Sequence, residues 1–370
     1  MKAHSKAHAA PAGFGRFIKE ALITLAAVAL FITIVLLITG TPPVATLEAL
    51  FKGSLGSWIK ISHVVKTWIP LTLCACGLLF TFRIGLWNIG VEGQVMLGAV
   101  FATAVLRLGV ESAAPLLYLG LSLAAAFIGG ALWALAAGWL KVKGGVHEIF
   151  AGLGMNFVAQ ALILWLIFGP WRRAGVASMS GTEMFPQRLW LPYLPGLRLS
   201  PLGIGLVLAA IAVTVLLLGH SRVGLRLKAI GSNMKAALLF GMTPNRYLLL
   251  AMLLAGGFAG LAGSLQVSAV YHRLIPAISS NYGYLALLVV MLANYNIRLV
   301  PAVAFFFACL NVGSIQLPMV LKVDSSLSGV IQGALVLATL GVHALRVRRR
   351  ASGRATAADG AAGNAKGGLP

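Results

Sequence analysis

The chain is built from apolar runs that approach or reach the length needed to cross a lipid bilayer, and this pattern leaves few folds open to it. Because an α-helix rises about 1.5 Å per residue, about 20 apolar residues cross the roughly 30 Å hydrocarbon layer. The runs lie at residues 21–40, 67–82, 94–108, 114–139, 149–169, 201–219, 247–266, 282–294, 299–316 and 327–345. The sequence therefore predicts an all-α fold, a polytopic transmembrane helical bundle of about ten spans.

The composition supports a membrane environment. Of the 370 residues, 59% are hydrophobic and only 10% are charged, whereas a soluble domain carries about 25% charged residues. Such a chain cannot hide its apolar surface in one water-exposed core, so lipid must be part of its solvent. The second, third and eighth runs are short, and short or Gly-interrupted spans are typical of broken helices that line a cavity. We therefore expect broken helices within the bundle.

The excess of basic residues indicates how the chain is oriented in the membrane and does not indicate binding to nucleic acid. The net charge is +21, but Lys and Arg lie between and beyond the apolar runs, where they would face anionic lipid. We therefore expect no nucleic-acid partner. An even number of spans places both termini on one side of the membrane, and the excess of Lys and Arg on that side predicts that both termini are cytoplasmic.

A polar stretch separates the second and third runs. Asn88, Glu92 and Gln94 stand among three glycines at the start of a new apolar run, and burying such groups in lipid would be costly. One interpretation is a structural break at a translocation pathway or its cytoplasmic gate. The other is an ordinary turn with Glu92 in the first turn of a helix, where the helix dipole favours a carboxylate. The spacing leaves both interpretations open.

Three amide side chains lie within later runs. Asn156 and Gln160 are four residues apart and share one face of a helix. They either face a pathway or form hydrogen bonds between helices, which membrane proteins use widely. Gln266 follows the Gly-rich stretch 256–263, whose GxxxG spacing predicts close helix packing. We expect Gln266 to be in reach of a solute.

The loop 220–246 is the longest on the side of the termini. It combines small and basic residues with a helix-compatible middle at 234–240. A loop that only connects two spans is usually shorter. We therefore expect this loop to contact a partner protein, with a simple connector as the alternative.

No pattern for catalysis or metal binding is present in the sequence. It contains no GxxxxGK[ST], HExxH or GxSxG motif, and its three cysteines all lie in apolar runs, where they act as small hydrophobes. We expect a transport subunit and not an enzyme. An ion-coupled secondary transporter is the alternative, but it would need carboxylates or histidines inside the membrane. Only Glu92 and Glu148 come near the apolar runs, both beside helix ends.

Five segments together resemble a known family. The chain is similar to the permease subunits of bacterial ABC importers for simple sugars, ribose and nucleosides, and closest to the nucleoside-type branch. The segments are WNIGVEGQ at 87–94, VHEIFAGLGMN at 146–156, AIGSNMKAALLFG at 229–241, AGGFAGLAG at 255–263 and VIQGAL at 330–335. The chain departs from the family pattern at Met234, where Pro is usual, and at Leu238, where Arg is usual.

The resemblance implies a half-channel that carries a nucleoside or a simple sugar into the cytoplasm by alternating access. A second permease subunit, identical or related, would complete the pore, and an extracytoplasmic binding protein would deliver the solute. A cytoplasmic ABC ATPase would use ATP and Mg²⁺, so this chain itself would bind no cofactor. It would be a multi-pass protein of the bacterial inner membrane. The implied domains are a cytoplasmic tail at 1–20, a permease domain at 21–345 and a basic, disordered cytoplasmic tail at 346–370.

The resemblance also assigns residues to two sites. The loop 220–246 matches the segment that couples the permease to its ATPase. The expected ATPase-coupling residues are Arg226, Gly231, Asn233, Ala236, Ala237 and Gly241. The expected residues of the translocation pathway and gate are Asn88, Glu92, Gln94, Asn156, Gln160 and Gln266.

Overall fold

The structure is a computed structural model that describes residues 42–321 except 174, 176–180, 195 and 198. It also describes the isolated residues 26, 30, 33, 34, 37, 333, 337 and 341. The predicted spans 21–40 and 327–345, the two tails and the segment 330–335 therefore lie outside the continuously described residues. The chain divides into two compact units, and the unit Phe51–Val312 contains every site discussed below.

Eleven α-helices form the described part of the chain, and no strand occurs in it. They are α1 (Pro43–Leu55), α2 (Trp58–Arg83), α3 (Val91–Leu108), α4 (Pro115–Gly144), α5 (Glu148–Phe168), α6 (Pro201–His220), α7 (Arg222–Ser232), α8 (Met234–Leu239), α9 (Pro244–Leu265), α10 (Tyr282–Leu292) and α11 (Val300–Leu321). A 3₁₀ turn at Gln187–Leu189 and a π-helical turn at Gln266–Tyr271 complete the regular elements.

The helices confirm the predicted all-α fold class, but fewer of them are long enough to be counted as membrane spans than the sequence predicted. Six of them, α2 to α6 and α9 with its π-helical turn, are long and apolar enough to cross a membrane. The apolar helix α10 and the part of α11 at Val300–Ile315 are shorter. Each of the eight predicted spans between 67 and 316 coincides with one of these helices. The total of about ten spans and the cytoplasmic termini stay predictions.

The second span is longer than predicted. The sequence predicted a short run at 67–82, but α2 already begins at Trp58 because Ser57 caps it, its side chain accepting from the Lys60 amide at 3.3 Å. A capping serine supplies one partner for the free amides of the first helical turn. The basic residues between 58 and 66 therefore extend a spanning helix, since the long Lys side chains can reach the polar boundary.

Glycines hold α3, α4 and α9 together. A Cβ atom added at Gly98 would lie 2.2 Å from the Gly260 Cα, and one added at Gly130 would lie 2.1 Å from the Gly256 carbonyl oxygen. At Gly263 it would lie 2.1 Å from the Val95 carbonyl oxygen. Such separations are possible only without side chains, so the three backbones are in direct contact. The packing role predicted for the stretch 256–263 is therefore confirmed.

The core and the outer surface of this unit are formed by different helices. Within their most apolar windows, 78% of the residues of α2 are buried, whereas only 22% of those of α6 are. Phe80 of α2 and Phe258 of α9 stack with ring centroids 6.1 Å apart. The helices α2, α3 and α9 therefore form the interior, and α6 turns most of its apolar surface outward.

An irregular segment joins α9 to α10. After the π-helical turn, His272, Ser280 and Asn281 have φ values of 55°, 50° and 60°. Residues other than glycine seldom adopt this left-handed conformation, and π-helical turns are similarly rare; both are enriched at functional sites. Since α10 has only 11 residues, it is too short to span a bilayer by itself. The segment 272–281 thus separates α9 and its π-helical turn, which are long enough to cross a membrane, from the short apolar helix α10.

Candidate functional site

The N-termini of α3 and α10 meet at a buried carboxylate. Glu92 lies in the first turn of α3 and is 2% exposed. Its Oε2 accepts from the Gly283 amide, in the first turn of α10, at 2.9 Å. Both helix ends carry free amides and partial positive charge, so a carboxylate stabilises them together. A Cβ atom at Gly283 would lie 2.7 Å from the Glu92 amide nitrogen, so this approach requires glycine.

Two amide side chains brace the turn that leads into α3. The Asn88 Nδ2 donates to the Gln94 Oε1 at 3.0 Å, and the Gln94 Nε2 donates to the Asn88 Oδ1 at 2.9 Å. Both side chains are buried, and each satisfies a donor and an acceptor of the other. Buried polar groups that are paired in this way hold a backbone conformation. The paired side chains of Asn88 and Gln94 therefore hold the turn 84–90 against α3.

Asn156 ties α5 to the same place. Its Oδ1 accepts from the Gly93 amide at 2.8 Å, and its Nδ2 donates to the Ile89 carbonyl at 3.0 Å and to the Tyr284 hydroxyl at 3.1 Å. One side chain therefore connects α5, the start of α3 and the start of α10. Asn156 thus forms hydrogen bonds between helices, and its place in the translocation pathway stays a prediction.

We call the group formed by Asn88, Glu92, Gln94, Asn156 and Gly283 the α3 junction. It brings together four of the six residues expected for the pathway. Sequence reasoning missed Gly283 and the neighbouring Tyr284. The only local signal was the Tyr-Gly-Tyr sequence at 282–284, at the start of a short apolar run.

Gln160 and Gln266 lie apart from the α3 junction. The Gln160 Nε2 donates to the Pro276 carbonyl at 3.0 Å, within the irregular segment 272–281. Gln266 begins the π-helical turn, is 1% exposed, and neither atom of its amide group has a hydrogen bond of normal geometry. Leaving a buried amide unpaired costs about 1–3 kcal/mol per group. Gln266 therefore has unused hydrogen-bonding capacity inside the bundle.

The loop 220–246 folds into the two short helices α7 and α8. Ser221 caps α7, with its hydroxyl accepting from the amides of Val223 and Gly224 at 3.1 and 3.2 Å. Asn233 ends α7 and caps α8, where its side chain accepts from the Ala236 amide at 3.1 Å. Asn and Ser are preferred at this position because they satisfy free amides. The predicted helical middle at 234–240 is therefore confirmed, with α8 ending at Leu239.

Most residues expected to couple to an ATPase have a use within the fold itself. Ala237 is 4% exposed, Ala236 is half-buried, and Gly241 takes φ +74° just after α8. Arg226 donates to the Tyr247 hydroxyl and lies with its guanidinium carbon 5.6 Å from the centre of that ring. The residue types of this segment are therefore explained in part by helix capping and turn geometry.

Large hydrophobic residues are exposed on α7, on α8 and just after α8, among exposed basic residues, and the sequence analysis did not single them out. Leu225 is 69% exposed, Leu239 89% and Phe240 84%. We call these three residues the apolar patch. Leu239 and Phe240 are consecutive in the chain, and exposed hydrophobic residues of this size are typical of a protein-binding surface. The available signal was the run Leu-Leu-Phe at 238–240 within an otherwise small and basic loop.

Direct contacts join α7, which carries Leu225 of the apolar patch, to the turn that leads into the α3 junction. A Cβ atom at Gly231, near the end of α7, would lie 2.3 Å from the Arg83 carbonyl oxygen at the end of α2. The turn 84–90 begins there and ends at the α3 junction. Phe82, at the end of α2, packs against Trp87 in this turn, with ring centroids 5.5 Å apart. A displacement of α7 would therefore push directly on the start of the turn 84–90.

His272 anchors a second loop, 181–200, against the end of α9. Its ring stacks on Trp190 with centroids 3.8 Å apart. Its Nδ1 lies 3.1 Å from the Ser268 carbonyl oxygen, and its Nε2 lies 3.1 Å from the Tyr193 hydroxyl. Burial first, and then the nearby Lys66 ammonium, lower the pKa of His272 from 6.5 to about 4. The ring is therefore neutral at physiological pH.

This pKa predicts an acid-sensitive loop. Because the folded protein has the lower pKa, the unfolded chain binds more protons between pH 6.5 and about 4, so stability falls as pH falls through this window. We expect the thermal midpoint of the wild type to decrease more, from pH 7 to pH 4.5, than that of His272→Phe, which keeps a ring against Trp190 but cannot titrate. Equal decreases in the two proteins would contradict the assignment.

Comparison with known proteins identifies the family. The family model described as "Branched-chain amino acid transport system / permease component" matches residues 60–340. The glucose ABC transporter permease protein TsgB13 of Haloferax volcanii is 31% identical over 308 residues, which are 80% of this chain and 80% of that protein. The guanosine ABC transporter permease protein NupP of Bacillus subtilis is 26% identical over 318 residues, which are 85% of this chain and 90% of that protein.

A third relative is similar over a comparable length. The nucleoside ABC transporter permease protein NupB of Lactococcus lactis is 25% identical over 292 residues, 76% of this chain and 79% of that protein. The family match covers most of the chain and includes the α3 junction, the apolar patch and the glycine contacts. The chain is a multi-pass protein of the plasma membrane, and it belongs to the family of permease components of ABC transporters that this model describes.

Proposed function

We propose that the chain forms half of the pore of an ABC importer and carries a nucleoside or a simple sugar into the cytoplasm. The names of the three relatives support this solute class, since one is named for glucose and two for guanosine or nucleosides. The family description names branched-chain amino acids instead, so the family alone does not decide the solute. These relatives favour an ATP-driven importer over the ion-coupled secondary transporter.

The observation that carries the proposal is the close contact of α7, at Gly231, with the end of α2, where the turn to the α3 junction begins. In this proposal a cytoplasmic ATPase binds the apolar patch, and the ATP and Mg²⁺ are bound by that partner. Closure of the ATPases displaces α7 and α8, and Gly231 transmits the displacement to the end of α2 and to the turn 84–90. The free energy that shifts the permease from one conformation to the other must come from contacts that differ between the two conformations.

The expected pathway residues divide into two proposed roles. Asn88, Gln94 and Asn156 pair with one another or with the backbone, and the Glu92 Oε2 accepts from the Gly283 amide. We assign these four residues to a gate that must rearrange during alternating access. The Gln266 amide is buried in the interior and makes no hydrogen bond of normal geometry. It is therefore the candidate for hydrogen bonds with the hydroxyl groups of a sugar or ribose. Gln160 would hold the segment 272–281 beside that position.

The partners follow from this scheme. A second permease subunit, identical or related, would complete the pore, and an extracytoplasmic binding protein would deliver the solute. Such partners are general to ABC importers, and the relatives' names support them only at this general level. Residues 346–370 would lie in the cytoplasm.

Uptake by a reconstituted transporter tests the proposal. The tagged chain is purified with its co-purifying subunits, inserted in liposomes and supplied with ATP, and uptake of guanosine, glucose and leucine is compared. We expect ATP-dependent uptake of guanosine or glucose and little uptake of leucine. Dominant uptake of leucine would overturn the solute assignment. Uptake by the solitary chain under an ion gradient without ATP would instead support the secondary transporter.

A further inference from the structure

A hydrogen-bond donor lies unused beside the α3 junction. The Nε1 atom of Trp133, in the second half of α4, is buried and has no hydrogen-bond partner among the described residues. An indole N–H can only donate, and a buried donor without an acceptor disfavours the conformation in which it occurs. The conformation described here is therefore disfavoured at Trp133, and a conformation that pairs the indole would remove this effect.

Trp133 and Asn156 approach the same residue of α3, Gly93. A Cβ atom at Gly93 would lie 3.0 Å from the Trp133 Nε1 and 2.8 Å from the Asn156 Oδ1. The indole donor and this amide oxygen therefore lie on the same side of Gly93, which has no side chain to separate them. The Asn156 Oδ1 accepts from the Gly93 amide at 2.8 Å. The indole thus stands beside an acceptor that another donor occupies.

The part of α4 that carries Trp133 is packed tightly against α9. A Cβ atom at Gly130 would lie 2.1 Å from the Gly256 carbonyl oxygen, and one at Gly256 would lie 2.4 Å from the Ala134 Cβ. These contacts lie on both sides of Trp133 in the chain, and they leave no room for α4 to shift towards α9. The indole is therefore a donor at a fixed place.

The first turn of α3 is the part that the proposed gate would move. The Gly93 amide belongs to this turn, whose amides lack partners within the helix, and the Asn156 side chain supplies its acceptor. A movement of the turn 84–90 that carries the start of α3 with it would break this hydrogen bond. The Asn156 Oδ1 would then need a new donor, because an unpaired buried carbonyl group is unfavourable.

We propose that Trp133 is a positioning residue of the gate, and that its Nε1–H donates to the Asn156 Oδ1 once the Gly93 amide has moved away. This inference rests on the gate proposed above for the α3 junction. The change of donor acts on both conformations in the same direction, since the described one leaves the indole unpaired and the rearranged one pairs it. Trp133 therefore reduces the free-energy difference that the ATPases must supply.

Hydrogen–deuterium exchange near Gly93 measures this effect without any solute. The variant Trp133→3-benzothienylalanine, made by site-specific incorporation, keeps the two-ring shape and replaces the N–H by sulfur. The full chain is purified with its co-purifying subunits, and mass spectrometry follows exchange in peptides that cover 90–97. Because the Gly93 amide exchanges from the rearranged conformation, the variant should exchange about 5-fold more slowly, the factor that one hydrogen bond contributes to an equilibrium. Unchanged or faster exchange would overturn the proposal.

Two comparisons test whether Trp133 acts through Asn156. In an Asn156→Ala chain the acceptor is gone, so the same analogue at Trp133 should slow exchange no further. A slowing as large as in the otherwise wild-type chain would contradict the pairing with Asn156. The control is Trp139→3-benzothienylalanine, because Trp139 lies on the same helix and is 58% exposed. It should leave exchange at 90–97 unchanged, and an equal slowing there would also contradict the assignment.

Uptake and thermal stability separate a positioning role from a structural one. The Trp133 analogue should lower ATP-dependent uptake by about 5-fold, yet its thermal midpoint should not fall, because the lost N–H is unpaired in the described conformation. A lower midpoint together with lower uptake would assign Trp133 a structural role and overturn the proposal. If the wild type carries leucine instead of guanosine or glucose, only the solute assignment fails, since the exchange measurement uses no solute.

Discussion

Replacing Gly130 with alanine is expected to be among the most damaging small substitutions in the chain. The added Cβ would lie 2.1 Å from the Gly256 carbonyl oxygen and 2.8 Å from the Gly260 Cα. Both neighbours are backbone atoms, so no side chain can rotate away and α4 must separate from α9. Overpacking of a close-packed interior costs about 1–3 kcal/mol, and a contact between two backbones should reach the upper end of this range.

Gly120→Ala on the same helix is the matched control. A Cβ atom there meets nothing within 4 Å, and alanine favours a helix over glycine by about 0.5–1 kcal/mol. The two variants should therefore move the thermal midpoint in opposite directions. Size-exclusion chromatography after heating, on chains purified in the same detergent, measures both midpoints. Similar midpoints for the two variants would show that α4 and α9 do not touch in the way described.

The sequence was sufficient for the helices and for the glycine face of α9, though not for its contact with Gly130, because the signals that it carries are local. Apolar runs and GxxxG spacing act within one helix, so they can be recognised without knowing the neighbours. The start of α2 was misplaced because lysines at 60 and 66 resemble a boundary, although a long side chain allows a helix to continue past it. The caps Ser221 and Asn233 likewise show why the loop 220–246 had to be helical.

The α3 junction could not be predicted to the same extent. The hydrogen bond of Glu92 to Gly283 joins residues 191 positions apart, and that of Gly93 to Asn156 joins residues 63 positions apart. The spacing of apolar residues along a single helix carries no information about pairs that are so far apart in the chain. The sequence indicated only that Glu92 needed a protein environment, because the cost of a carboxylate in lipid is general. Its role in joining two helix N-termini depends on the path of the whole chain.

The largest functional effect is expected from Gly231→Ala. Its Cβ would lie 2.3 Å from the Arg83 carbonyl oxygen and 3.1 Å from the Ile84 Cα, so α7 must withdraw from the end of α2. The apolar patch would remain, and the ATPase should still bind. Movements of α7 would then no longer reach the turn 84–90. We expect ATP hydrolysis to continue while uptake per ATP falls by about 10-fold, as a loss of about 1.4 kcal/mol of coupling would produce.

Two comparisons distinguish this loss of coupling from simple damage. Gly219→Ala lies near the end of α6, where an added Cβ meets nothing within 4 Å, and it should leave uptake and ATP hydrolysis unchanged. Leu239→Asp alters the apolar patch instead, so it should lose the ATPase during purification. If Gly231→Ala keeps both normal uptake and normal ATPase stimulation, the loop 220–246 does not couple the two subunits. If it loses the ATPase as Leu239→Asp should, Gly231 supports partner binding and does not transmit movement.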